Sequence, residues 1–191
     1  MDLHAAAAIA ADPDKPGRAR VDALVQVVRL VSVTEQPIPD CIADAVDDLA
    51  LVDAAVSRGA ANAVCAALHQ LGARPELATT RRRVVRRLIA AGVTGISLAG
   101  LAAEIGDCAA GASLAVRDFD DHVAARVTRL PPDLIVSSWL SWLAAQPDEL
   151  ALAALRTLVS RDVKLVAVLE HASNPRHADR LHALVRSILP P

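Results

Sequence analysis

Polar residues recur at helical spacing along much of the chain. In the segment 18–33, Arg18, Asp22, Gln26 and Arg29 follow one another at intervals of four, four and three, and most other positions are Val, Leu or Ala. Residues at this spacing share one face of an α-helix. The segment therefore predicts a helix with one narrow polar stripe and an otherwise buried surface.

Proline and glycine divide the chain into similar segments. Prolines stand at or just before the start of apolar periodic segments and glycines follow their ends, as is typical of helices, whose first turn tolerates proline and whose last turn favours glycine. The pattern predicts helices near 2–11, 17–34, 40–57, 60–71, 75–91, 97–105, 113–129, 132–145, 147–159, 162–172 and 175–189. A strand remains the alternative for VKLVAVLE at 163–170, which is short and rich in β-branched residues.

These elements predict an all-α fold of about nine to eleven short helices, because short connections favour antiparallel helical neighbours. Two architectures remain open: an irregular multi-helix bundle, and stacked helical hairpins in the style of HEAT repeats. We expect residues 1–191 to form a single helical domain. An alternative for its N-terminal part is that residues 1–14 form a helix that is only loosely attached to the rest.

Composition narrows the class of protein. The 191 residues are 53% hydrophobic with a mean hydropathy of +0.35, which excludes intrinsic disorder. The net charge is −2, so the chain as a whole is not a polycation suited to nucleic acid. The odd set Cys41, Cys65 and Cys108 and the absence of a long apolar run predict a soluble, cytoplasmic protein without disulfides or a membrane partner.

Two charged stripes are the sharpest local features. The run RRRVVRR places Arg81, Arg82, Arg83, Arg86 and Arg87 on the polar side of a predicted helix, where they can contact phosphates or acidic side chains. An acidic stripe is predicted on the helix at 40–57, because four aspartates follow one another at i, i+4, i+7 and i+8: Asp40, Asp44, Asp47 and Asp48. The sequence leaves both partners of these arginines open, phosphate groups and acidic side chains.

The segment that follows the arginines, SLAGLAAEIG at 97–106, resembles the first helix of a helix-turn-helix as found in TetR-type regulators. Ser97 stands at the cap, Ala102 at the interior position and Gly106 at the turn. The next residues, DCAAGASLAVRDF, depart from the short turn and recognition-helix spacing of that family. The resemblance implies a DNA-binding transcriptional regulator that uses residues 79–118.

A third feature is the acidic run DFDDH, in which Asp118, Asp121 and His122 can share a helical face. No further ligand or catalytic partner is identifiable for this run, and the chain contains no nucleotide-binding glycine motif. We therefore predict no catalytic residue, no metal site and no cofactor, while a small helical enzyme centred on 118–122 remains the third hypothesis.

Trp139 and Trp142 are the only tryptophans in the sequence and stand three residues apart in LIVSSWLSWL. Closely spaced tryptophans are typical anchors of protein interfaces, although both can also fill a core. We expect a non-enzymatic α-helical interaction or scaffold module that binds a protein partner or a second copy of itself. DNA binding is the alternative.

Overall fold

A computed structural model describes residues 2–72, 74–128 and 133–188, and all regular structure within these ranges is helical. The predicted all-α multi-helix bundle is confirmed. The strand considered for 163–170 is wrong, because Leu165–Leu169 is an α-helix whose Leu165, Val168 and Leu169 side chains are buried.

The internal contacts divide the chain between Val93 and Thr94 into two compact units, and each is described by itself. Unit 1 contains α1 Leu3–Ala11, α2 Gly17–Thr34, α3 Cys41–Asp47, α4 Leu49–Ser57, α5 Ala61–Leu71 and α6 Ala78–Ala90. Unit 2 contains α7 Ile96–Glu104, α8 Cys108–Asp118, α9 Leu134–Ala145, α10 Asp148–Ser160, α11 Leu165–Leu169 and α12 Pro175–Ile188. The single domain expected from the sequence stays a prediction.

Unit 1 is built on alanine faces. In α1, Ala6, Ala7 and Ala10 are fully buried where this helix packs on α2 and α3. Small side chains let helix backbones approach closely, so these interfaces are thin and dense. The guanidinium of Arg20 on α2 crosses this interface and donates to the Ala10 carbonyl over 3.0 Å.

The helix predicted at 40–57 is broken at Asp48. This residue has extended backbone angles, and its side chain accepts a hydrogen bond from the Ala50 N–H and thereby caps α4. The same carboxylate binds Arg20 at 2.6 Å. An aspartate that caps a new helix and pairs with a buried arginine stabilises the break, which the periodicity of this segment does not indicate.

Unit 2 is centred on α8, which packs between α7 and α10. This helix begins at Cys108, five residues before the predicted start, because Asp107 caps it through the Ala110 N–H at 3.0 Å. After Asp118 the chain continues as a π-helical turn, Phe119–Val123, and a short 3₁₀ turn. The predicted helix 113–129 is therefore wrong at its start and in its last turns, and its residue 129 lies outside the described residues.

Within the described ranges, no helix is long and apolar enough to cross a membrane.

Candidate functional site

The arginine run of α6 is largely used inside unit 1. Arg87 binds Asp53 with two hydrogen bonds, of 2.7 and 2.9 Å, and Arg83 forms an ion pair with Asp47. These contacts hold the pKa of Asp53 and Asp47 below the usual range, although in Asp47 the bond from Thr80 contributes most. Two of the five arginines therefore meet acidic side chains of their own unit.

The other arginines divide into one buried and two exposed side chains. Arg81 is buried at 5% exposure and donates to the Leu68 carbonyl at 2.6 Å. Arg82 and Arg86 are exposed, and neither forms an ion pair with another described residue. Only this pair presents unneutralised positive charge on the described surface of α6.

The four aspartates do not form one acidic stripe, and this expectation is corrected. The helix break turns Asp48 toward Arg20, which holds its pKa below the usual range, while Asp47 faces α6. Asp40 pairs with Arg74 at 2.8 Å, and Asp44 is exposed on α3. The aspartates thus connect α3 and α4 to several elements of unit 1.

Trp139 is placed in the core of unit 2. Its side chain is 2% exposed, and its ring meets that of Phe119 edge-on, with centroids 5.1 Å apart. Trp142 is half-buried. Of the two residues predicted as interface anchors, only Trp142 is accessible to solvent. The interface role of both stays a prediction.

The segment that resembles a helix-turn-helix does form two helices joined by a short turn. α7 ends at Glu104 and α8 begins at Cys108, and Gly106 in the turn has a φ of +85°. From the sequence we expected that no short turn would follow this segment, and that expectation is wrong. Ser113 and Arg117 are exposed on α8, and Arg117 is the one cation within this helix.

The acidic run at 118–122 forms a pair rather than a cluster. Asp118 Oδ1 lies 3.4 Å from His122 Nδ1, and burial raises the pKa of Asp118 above its usual range. Asp120 instead pairs with Arg161. Among the described residues, no group of three His, Cys, Asp or Glu side chains is arranged to hold a metal ion.

A surface that the sequence did not single out surrounds α11. One apolar groove of about 450 Å³ lies between the end of α10, α11 and α12, and a second of about 320 Å³ lies between α11 and the turns after α8. Val163 and Lys164 line both grooves, and Val166 beside them is 62% exposed. We call the two grooves and Val166 the α11 face.

His171 connects the residue before α9 to the turns after α8. His171, buried just after α11, accepts a hydrogen bond from the Asp133 N–H at 2.9 Å and contacts the Val127 carbonyl at 2.8 Å. Val127 lines the second groove, while Asp133 immediately precedes Leu134, which is 81% exposed. A buried histidine therefore links the residue before α9 to a residue that lines the second groove.

Comparisons with known proteins find no match for this chain, whether with family models, with curated proteins or with solved structures.

Proposed function

We propose that the protein is a non-enzymatic helical interaction module that binds a protein partner through the α11 face of unit 2. The observation that carries this proposal is the exposure of Val166 where it lines the larger of two adjoining apolar grooves. Burying a valine side chain contributes roughly 1.5–3 kcal/mol, so the burial of Val166 alone favours association measurably. Exposed contiguous apolar surface is a common mark of a binding site.

The shape of the face favours a helical partner. Val163 and Lys164 line both grooves and so lie where the grooves adjoin, and Val166 lines the larger groove. Helices pack by fitting the side-chain ridge of one into the grooves of the other. A partner helix laid across α11 fills both grooves and covers Val166.

We further propose that the protein acts in the cytoplasm. Cys41, Cys65 and Cys108 are free thiols, and burial raises the pKa of Cys65 to about 11. Unpaired thiols are typical of reducing compartments.

Site-specific photo-crosslinking in the cells that make the protein tests the proposed interface. A photo-reactive amino acid replaces Val166 in one variant and Val33 in the control, because Val33 is a comparably exposed valine of unit 1, at 74%. We expect a discrete adduct from position 166 and none of the same mass from position 33. The captured protein, once purified, should bind the wild type and lose binding to Val166→Asp. A lack of any adduct specific to position 166 refutes the proposal.

DNA binding is a second candidate, favoured by Arg82 and Arg86 of α6, which are exposed and form no ion pair with another described residue. If both arginines contact phosphate, their joint replacement by alanine should flatten the plot of log affinity against log salt by about 1.8, at about 0.9 per phosphate. The double variant Arg176→Ala with Arg186→Ala on α12 is the control. Unchanged duplex binding in the α6 variant, or no binding by the wild type at low salt, excludes this candidate.

A further inference from the structure

The turn between α10 and α11 contains one of two left-handed residues in the described ranges that are not glycine; the other is Glu35, at the end of α2. In the α10–α11 turn the Asp162 N–H donates to the Val159 carbonyl at 3.0 Å, and the Val163 N–H donates to the Leu158 carbonyl at 3.1 Å. This pair of bonds defines a Schellman motif, whose C′ residue adopts the left-handed conformation. Asp162 occupies that position with a φ of +59°.

The same two-bond motif closes α4, α6 and α7, and there the left-handed residue is always glycine: Gly59, Gly92 and Gly106. Glycine adopts this conformation without steric cost, whereas other residues are disfavoured in it, aspartate and asparagine least. Asp162 therefore holds a position where its side chain costs stability. Residues held in strained conformations often have a functional role, which directs attention to what the carboxylate does.

The Asp162 carboxylate lines the larger groove of the α11 face together with Lys164. Both side chains are exposed, and neither forms an ion pair with any residue in the described ranges. One acid and one base thus flank Val163 on an apolar surface, with opposite charges on either side of it. Such a surface is complementary in charge to itself when a second copy is turned by 180°.

We propose that the α11 face pairs two copies of this chain around a two-fold axis near Val163. In a two-fold interface the same patch serves both copies, so each contact occurs twice. Asp162 of each copy then binds Lys164 of the other, and Val166 of each copy enters the apolar groove of the other. This inference rests on the proposed function of the face and names its partner.

Charge exchange tests this pairing directly. Lys164→Asp places two acids opposite two acids, and Asp162→Lys places two bases opposite two bases, so each variant alone should associate at least about tenfold more weakly than the wild type at low salt. A mixture of the two variants restores both ion pairs and should associate as a heterodimer. Sedimentation across a concentration series measures each association.

Matched controls separate charge effects from folding. Lys15→Asp makes the same charge change in unit 1, at the only other lysine of the chain, and should leave association unchanged. Asp162→Gly removes the strain and the carboxylate together. We expect it to raise the urea midpoint of unit 2 while it weakens association, a combination that simple destabilisation does not produce.

Crosslinking with a carbodiimide, which joins an amine directly to a carboxylate, tests the pairing of Asp162 and Lys164 independently. Between isotopically light and heavy copies, we expect a linkage that joins Lys164 of one copy to Asp162 of the other. A wild type that stays monomeric at millimolar concentration, or a variant mixture that does not associate, overturns the inference. A heterologous adduct from position 166 would then leave the proposed function standing with a different partner, whereas the absence of any adduct would remove both.

Discussion

Replacing Gly111 with alanine should destabilise unit 2, although the same change stabilises most helices. Gly111 is the fourth residue of α8, the helix that packs between α7 and α10. A Cβ atom built on it would lie 2.7 Å from Leu150 Cδ1 and 2.8 Å from the Ala99 carbonyl oxygen. The leucine can rotate away, but the carbonyl belongs to the backbone of α7 and cannot.

The expected magnitude is the difference between two opposing effects. Glycine to alanine in a helix interior gains about 1 kcal/mol in propensity. A methyl group forced into a packed interface costs about 1–3 kcal/mol, and a contact with backbone takes the upper half of that range. We therefore expect a net loss of about 1–2 kcal/mol, which lowers a urea midpoint by roughly 0.5–1 M for a slope of about 2 kcal/mol/M.

Tryptophan fluorescence is the appropriate assay, because Trp139 and Trp142 both lie in unit 2 and the rest of the sequence contains no tryptophan. Ala109→Gly at an exposed position in the first turn of the same helix is the control, with an expected loss of at most about 1 kcal/mol from propensity alone. Both variants should lower the midpoint, although they change propensity in opposite directions. A higher midpoint for Gly111→Ala would refute the close approach of α7 and α8.

Three further outcomes follow from buried polar groups. His171→Ala leaves the two backbone groups that it contacts without a partner, so unit 2 should lose about 1–3 kcal/mol in urea unfolding; an unchanged midpoint would contradict those bonds. Burial raises the pKa of Asp118, so the protonated carboxyl contributes stability that is lost as the pH rises through the folded-state pKa. Asparagine is neutral at every pH, so Asp118→Asn should raise the urea midpoint at pH 7 and leave it nearly unchanged near pH 3. With a pKa of about 11, Cys65 should react with a thiol reagent at pH 8 only after unit 1 unfolds, and modification in the native state, located by mass spectrometry, would contradict its burial.

Local signals in the sequence were sufficient for most of the helices. Pro16 and the polar spacing within 18–33 predicted the helix 17–34, because a proline acts on the backbone of its own turn and the polar stripe follows the helix it belongs to. The break at Asp48 could not be predicted in this way. The apolar periodicity continues across it, and the break depends on Arg20, which is 28 residues away in the sequence.

The candidate site was harder to predict, because it depends on which surfaces remain uncovered. Trp139 stood out in the sequence as a rare residue, yet the fold covers it with Phe119. Val166 stood in an ordinary apolar run and is left exposed. One local signal was available at Asp162, where a helix ends without the glycine that closes several of its neighbours.

Thiol footprinting in living cells tests most directly whether the α11 face is a binding surface. Val166→Cys and Val33→Cys introduce thiols at two valines that are both largely exposed, one on the α11 face and one in unit 1. Labelling of each is compared between the cell and dilute purified protein and is located by mass spectrometry. The account predicts that position 166 is protected in the cell and reactive in dilute solution, while position 33 is reactive in both. Equal labelling of position 166 under the two conditions would contradict it.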